Sequence, residues 1–462
     1  MEPGKGTAGG TSLATGRLQA GAGTSGRPAF DVVVPVRPGD HAFVVHCLTS
    51  LLLQSLTPGK VVLVDDGGAE ADHSLQLAAE FGRANGLQVE CISRRWTIGH
   101  VATLKRQARD SSAPVLLVLQ PGTVLNTPDY IEACLATFAD TSVACAAGRA
   151  AVLQPGHRSR VEQSEPFRRW IGDDPYLDPL APRGAADRLA RWLSAAWLAH
   201  VQDLGAGLCD RIGERTCGGI MLATGGAVAY RCRYLRDLFD RVEPVRGDDL
   251  GAWPGHAIAH AFATEGYRMV RVGEAEARVQ PPPLARWPSL AWSWLLGLLQ
   301  AGHWFDPLLR SPFRRLARYR RRKHAQGSAG ARYTTRDEVI EEPFGERVTR
   351  LEGRPVGGAL LLRAVVLAGL GLLAWVLGLS GRWAALGGLA LVEVAAVALV
   401  LPALAGRGER GATAVHALVA TPLRWGVVVA VPLALARMVA GLWLGRAFRW
   451  RRLERRRSAR GR

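Results

Sequence analysis

Between residues 29 and 280 the chain alternates short β-branched runs with longer stretches whose apolar residues recur at helical spacing. Phe30–Val36 and Val61–Val64 are β-branched runs that end in Pro, Arg, Asp or Gly. Between them, His41–Gln54 has helical spacing, with Asp40 in the N-cap position. Strand, helix and strand within about 35 residues form a βαβ unit, and hence a parallel sheet. The pattern predicts further helices near 72–84, 100–109 and 128–138, and strands over 87–92, 114–119 and 142–147. Residues 186–204 read as a strongly amphipathic helix, Ile220–Val228 as a strand and Gly255–Glu265 as a helix.

The pattern changes after residue 284. Trp287, Trp292, Trp294 and Trp304 interleave with Leu295, Leu296, Leu298 and Leu299, and a basic block follows. That combination predicts a helix lying in a membrane interface. Ala364–Gly381 carries no charge, and with Gly357–Arg363 it reaches the roughly 20 residues that a bilayer needs. Trp383–Gly406 is a second span, interrupted by Glu393, a charge expected to face other helices. Gly411–Gly445 is apolar but broken by Pro422, Arg424, Pro432 and Arg437, which predicts one span plus an interfacial piece, or a kinked hairpin. The resulting organisation is a disordered leader over 1–28, an α/β unit over 29–284, and an interfacial and basic juxtamembrane segment over 285–323. A linker over 324–355, a transmembrane region over 356–445 and a basic tail over 446–462 follow.

Charge sharpens this picture. Lys and Arg number 58 against 40 Asp and Glu, a net +18. Residues 310–323 hold seven Arg and one Lys, and residues 446–462 hold nine Arg against one Glu, leaving the remainder nearly neutral. A whole-domain nucleic-acid binder is therefore excluded. The positive-inside rule places both blocks in the cytoplasm, which requires an even number of crossings of the cell membrane and a cytoplasmic α/β unit. Residues 1–27 lack the apolar core of a signal peptide. Seven cysteines without a CxxC fit free thiols in a reducing compartment better than disulfides or zinc.

The literal GxGxxG at Gly21, Gly23 and Gly26 lies in the leader, with no strand before it and no helix after it, and is set aside. No GxxxxGK[ST], GxSxG or HExxH is present. Asp65-Asp66-Gly67-Gly68 stands at the carboxyl end of the second strand, where open α/β sheets bind ligands. Two adjacent acids there need partners, a carboxylate suits a base N–H or ribose hydroxyl, and the glycines admit a ligand to the backbone. A second acidic pair, Asp248-Asp249, follows Gly247 and precedes a helix, where an N-cap is the plain alternative.

These segments carry a resemblance. Asp31–Gly68, with PVR at 35–37, CLTSLLLQSLTP at 47–58 and VLVDDGG at 62–68, resembles the nucleotide-binding start of a family 2 glycosyltransferase with the GT-A fold. GGIMLATGGAVAYRCRYLRDL at 218–238 resembles the strand and turn that line its acceptor site. Gly247-Asp248-Asp249 with GYR at 266–268 resembles the acidic segment of membrane synthases of the hyaluronan, chitin and cellulose type, and Arg286-Trp287 the end of their QxxRW motif. The resemblance covers residues 29–305 and implies a GT-A, Rossmann-like, mostly parallel sheet. It implies that Pro35, Val36, Asp65, Asp66 and Gly99 face the nucleotide-sugar, with Asp66 on the base. It further implies that Asp249 is the general base, with inversion at the anomeric carbon. Asp248, Gly225, Gly226, Arg286 and Trp287 would serve the acceptor and diphosphate.

The departures concern the cofactor. The family's DxD holds a divalent Mg2+ or Mn2+ after its strand, yet Gln120-Pro121-Gly122 follows strand 114–119 here. Neither Gln nor Gly replaces a carboxylate for a hard cation. His100 stands for the usual Lys, Pro283 for the Gln of QxxRW, and Leu250 for the Arg after the acidic pair. The expectation is a membrane-anchored glycosyltransferase that uses a nucleotide-sugar and a lipid or glycan acceptor. It binds no nucleic acid and depends weakly on metal, with Lys105, Arg106 and Arg286 as candidate replacement cations. The rivals are a catalytically degenerate scaffold subunit and, less well supported, a nucleotidyltransferase.

Overall fold

The computed structural model describes residues 28–37, 40–66, 73–94, 98–172, 184–223, 225–246, 250–264, 267–305, 356–404 and 409–443. Residues 1–27 of the leader, the basic block, the linker, the tail, Gly67, Gly68, Gly247, Asp248 and Asp249 lie outside the described residues.

The first half follows the βαβ pattern. β1 (Phe30–Val36), α1 (Val44–Leu52), β2 (Val61–Asp65), α2 (His73–Ala84), β3 (Val89–Ser93), α3 (His100–Asp110) and β4 (Val115–Leu119) alternate in order. β3, β2, β1 and β4 lie side by side and parallel, with Val32 beside Val61 and Phe30 beside Val115. Val32, Val34 and Val36 point into one core with α1 and α2, while Val33 points into the other with α3. Burial on both faces is why these strands read as unbroken apolar runs. Each such side chain contributes about 2 kcal/mol of burial.

The second half is mixed. β5 (Thr123–Leu125), α4 (Tyr130–Ala136), β6 (Val143–Val152), α5 (Pro155–Glu162), α6 (Glu165–Ile171), α7 (Ala185–Gln202) and α8 (Arg211–Cys217) come next, with a π-helical stretch, Asp203–Asp210, joining α7 to α8. β7 (Ala227–Arg231), α9 (Cys232–Arg246), α10 (Pro254–Thr264) and β8 (Arg268–Val279) complete an eight-stranded sheet of order β3-β2-β1-β4-β7-β6-β8-β5. β7 runs antiparallel to β4 and β6, and β5 antiparallel to β8, while β6 and β8 are parallel. The α/β class holds. The strand expected over Ile220–Val228 begins instead at Ala227, because Gly225, at φ +137°, turns the chain immediately before it.

Among the described residues four helices follow: α11 (Trp287–Phe305), α12 (Val356–Leu379), α13 (Trp383–Leu404) and α14 (Arg410–Trp443). Among the described residues, α13 and Arg410–Gly441 of α14 are long and apolar enough to cross a membrane. Leu379 of α12 and Val392 and Leu399 of α13 are more than two-thirds exposed. α14 is continuous through Pro422 and Pro432, where the sequence predicted a break. Neighbouring helices pack along it, and Trp375 of α12 donates Nε1–H to Val429 O at 2.9 Å. Glu393 meets Arg424 of α14 at 2.5 Å. α11 does not present its leucines outward as expected of an interfacial helix. Leu295, Leu296 and Leu299 are buried against Val431, Ala434 and Met438 of α14.

Candidate functional site at the strand ends

Parallel strands bring their carboxyl ends to one edge, and four turns meet there. Asp66, just past β2, accepts backbone N–H bonds from Ile98 at 2.9 Å and Gly99 at 2.8 Å. Its own N–H bonds Val36 O at 3.1 Å. Arg94, past β3, lies 3.6 Å from the same carboxylate and donates to Thr103 Oγ1. Gly99, at φ +93°, turns the chain into α3, a conformation that favours glycine. Asp66 therefore fixes the loop that starts α3, whose N-terminus brings its partial positive charge to this edge.

Asp65 is almost fully buried, with His41 Nε2 3.8 Å from its Oδ1. Pro35 and Val36 are buried strand residues facing Val64 and Asp65 across the ladder. Asp40 stands at the expected N-cap of the 3-10 turn His41–Phe43 but makes no side-chain cap bond. Burial raises its carboxyl above the usual range, and Arg37 and Arg286 oppose that shift. Arg37, at the end of β1, and Arg286, in the turn before α11, are both exposed and both act electrostatically on this half-buried acid. Burial, and then Arg37, push His100 down to about 4, so it is a neutral imidazole at pH 7.

Gln120 begins the turn that follows β4. Its N–H bonds Gly226 O at 2.6 Å, and Gly122 O accepts from Gln280 N at 2.7 Å. This turn sits between the end of β4, the start of β7 and the end of β8, level with Gly225 and Gly226. Among the described residues no group of three His, Cys, Asp or Glu is placed to hold a metal ion. A neutral carboxamide and a glycine do not fit a hard divalent cation.

Of the remaining expected site residues, Trp287 is turned inward. Its Nε1–H donates to Ser194 Oγ at 2.7 Å and its ring packs edge-on against Trp197, with centroids 5.6 Å apart. Of the three candidate replacement cations, Lys105 is held by Glu243 at 2.7 Å, on the far side of α3 with α9. Asp248 and Asp249 lie outside the described residues. Arg37, Asp40 and Arg94 escaped the sequence reading as site residues. The PVR at 35–37 was the one signal that pointed at Arg37.

No protein-family model matches the chain, and comparison with curated proteins finds no match. Among solved structures, the chain is similar to a mannosyltransferase from Pyrobaculum calidifontis in complex with GDP-Man and Mn2+. The identity is 16% over 91% of this chain and 88% of that one, at a TM-score of 0.44. It is also similar to GalNAc-T7 with UDP, GalNAc and Mn2+, at 12% identity over 55% of this chain and 43% of that one, with a TM-score of 0.35. At these TM-scores neither likeness carries an inference about function.

Proposed function

We propose that the chain is a membrane-anchored glycosyltransferase of the GT-A type, working at the cytoplasmic face of the cell membrane. A nucleotide-sugar lies across the carboxyl ends of β1, β2 and β4, and a lipid-linked or growing glycan receives the sugar. The observation that carries the reading is that Arg37 and Arg286 both act electrostatically on Asp40, while Arg37 also acts on His100, the first residue of α3. Two guanidiniums and a helix start form an anion-receiving site suited to a diphosphate. Asp249 takes the proton from the acceptor hydroxyl. The freed oxygen bonds the anomeric carbon from the side opposite the diphosphate, and the nucleoside diphosphate leaves with the electron pair of the broken C–O bond, inverting the centre. The exposed faces of α12 and α13 support the membrane anchor.

The test is release of nucleoside diphosphate by the full chain in detergent, given a panel of UDP-, GDP- and dTDP-sugars with crude lipid acceptor. Asp249→Asn should abolish release. Turnover by that variant at the unmodified rate would end the assignment.

A second reading, a scaffold subunit without turnover, is favoured by Gln120 and Gly122 at the metal position. It is distinguished by nucleotide-sugar binding without release.

A further inference from the structure

Arg424 sits in α14 with its guanidinium between two partners on different elements. Nη1 donates to His200 Nε2 of α7 at 2.9 Å, and Nη2 to Glu393 of α13 at 2.5 Å. Guanidinium has no acceptor, so His200 must carry its proton on Nδ1. His200 is fully buried, and its Nδ1 has no hydrogen-bond partner among the described residues. A leucine would pack there without leaving a buried donor unpaired, so the histidine is kept for what its other nitrogen holds.

The same face of α7 holds the turn that carries Arg286. Ser194, two turns before His200, donates its hydroxyl to Pro282 O at 2.5 Å and accepts the indole N–H of Trp287. Trp197, between them, packs on Trp287, and Ala420 of α14 closes this cluster, with Leu284, Leu423 and Val427 around it. One helix face is thus bonded to the Arg286 turn at one end and to the apolar helices at the other.

We propose that Arg424 is a positioning residue: by gripping His200 and Glu393 it seats α14 on α7 and thereby fixes the Pro282–Trp287 turn and the aim of Arg286. Assigning the anion to Arg286 rests on the function proposed above, whereas fixing of the turn does not. The C-terminal helices are on this account a working part of the site as well as its anchor.

The experiment compares uridine with UDP, and guanosine with GDP, binding to the full chain in detergent. Arg424→Met should weaken diphosphate binding by about 10-fold, approaching Arg286→Ala, and leave nucleoside binding unchanged. Arg424→Lys should recover part of the loss. Equal losses for nucleoside and diphosphate, or no loss, would overturn the proposal. Amide exchange supplies a ligand-free reading: Arg424→Met should speed exchange over 284–288 by about 10-fold while Val32–Val36 stay protected. Unchanged exchange over 284–288 would overturn the fixing of the turn. Wild-type chain that binds no nucleotide would sink the proposed function and leave this second measurement decisive. Glu393→Gln, which keeps size and an acceptor, repeats both measurements should Arg424→Met fold poorly.

Discussion

Gly226 and Thr123 face each other so closely that a Cβ on Gly226 would lie 1.7 Å from the threonine hydroxyl oxygen. Thr123 is fully buried and short, so it has nowhere to swing. Gly226→Ala should therefore displace β5 from β7 and stretch the bond between Gln120 N–H and Gly226 O. We expect a loss of about 3 kcal/mol in chemical denaturation. The double variant with Thr123→Gly should recover part of it. A stable Gly226→Ala with unchanged midpoint would show that β5 shifts freely.

Asp66→Asn keeps the shape but replaces a charged acceptor of two backbone bonds with a neutral amide, and leaves Arg94 without its anion. The cost should be about 2 kcal/mol in stability. Amide exchange should rise at Ile98 and Gly99 before it rises in β2. If exchange at those two residues stays slow, the carboxylate is not what orders the start of α3.

His200 makes stability depend on pH. Burial, reinforced by Arg424, holds its folded-state value at about 4, below the ordinary 6.5. The unfolded chain takes up a proton as pH falls through about 6.5, and the folded chain does so only near 4. Stability from this group is complete above pH 7 and is lost between 6.5 and 4, at up to about 1.4 kcal/mol per pH unit. Thermal unfolding of wild type and His200→Gln across pH 4–8 reads it. Parallel curves would refute the linkage.

Catalysis should survive chelation. With Lys105 held by Glu243, the described cations expected to face a diphosphate are Arg37, Arg94, Arg106 and Arg286. Release of nucleoside diphosphate should persist in EDTA, and Arg37→Ala should cost about 10-fold or more. Gly122→Asp would bring its Cβ to 3.1 Å from Gln280 Cβ, so that residue must shift slightly to admit it, and the variant should not create metal dependence while Gln120 is neutral. Activity lost on chelation and restored by Mn2+ would mean that an acid elsewhere binds the ion.

The parallel half of the sheet was legible because Val32, Val33 and Val34 are buried on both faces, and such strands appear as unbroken apolar runs. The antiparallel half was less so. β8 reads RMVRVGEAEARV, where partly exposed Arg and Glu interrupt the apolar signal, and its long pairing with β6 is set by tertiary contacts. Asp65 and Asp66 stood out because a strand ends at them. Arg37 and Asp40 share the turn after β1, Arg94 and His100 flank the connection from β3 to α3, and no spacing along the chain encodes the convergence of the two. Pro422 and Pro432 were read as breaks because a lone helix cannot hold them, whereas α14 is packed on α7, α11, α12 and α13.

The π-helical stretch between α7 and α8 sets the rotational phase of one rod. Upstream of it, Ser194, Trp197 and His200 face α14 and the Arg286 turn. At its last residue, Asp210 meets Arg271 of β8 at 2.8 Å, with both side chains buried. The wider turns of Asp203–Asp210 let the two halves address different partners. Deleting a single residue there would rotate α8 by about 100° relative to α7. Asp210 would swing away from Arg271 and strand a buried charge on each side, so the segment tolerates substitution far better than any change in length.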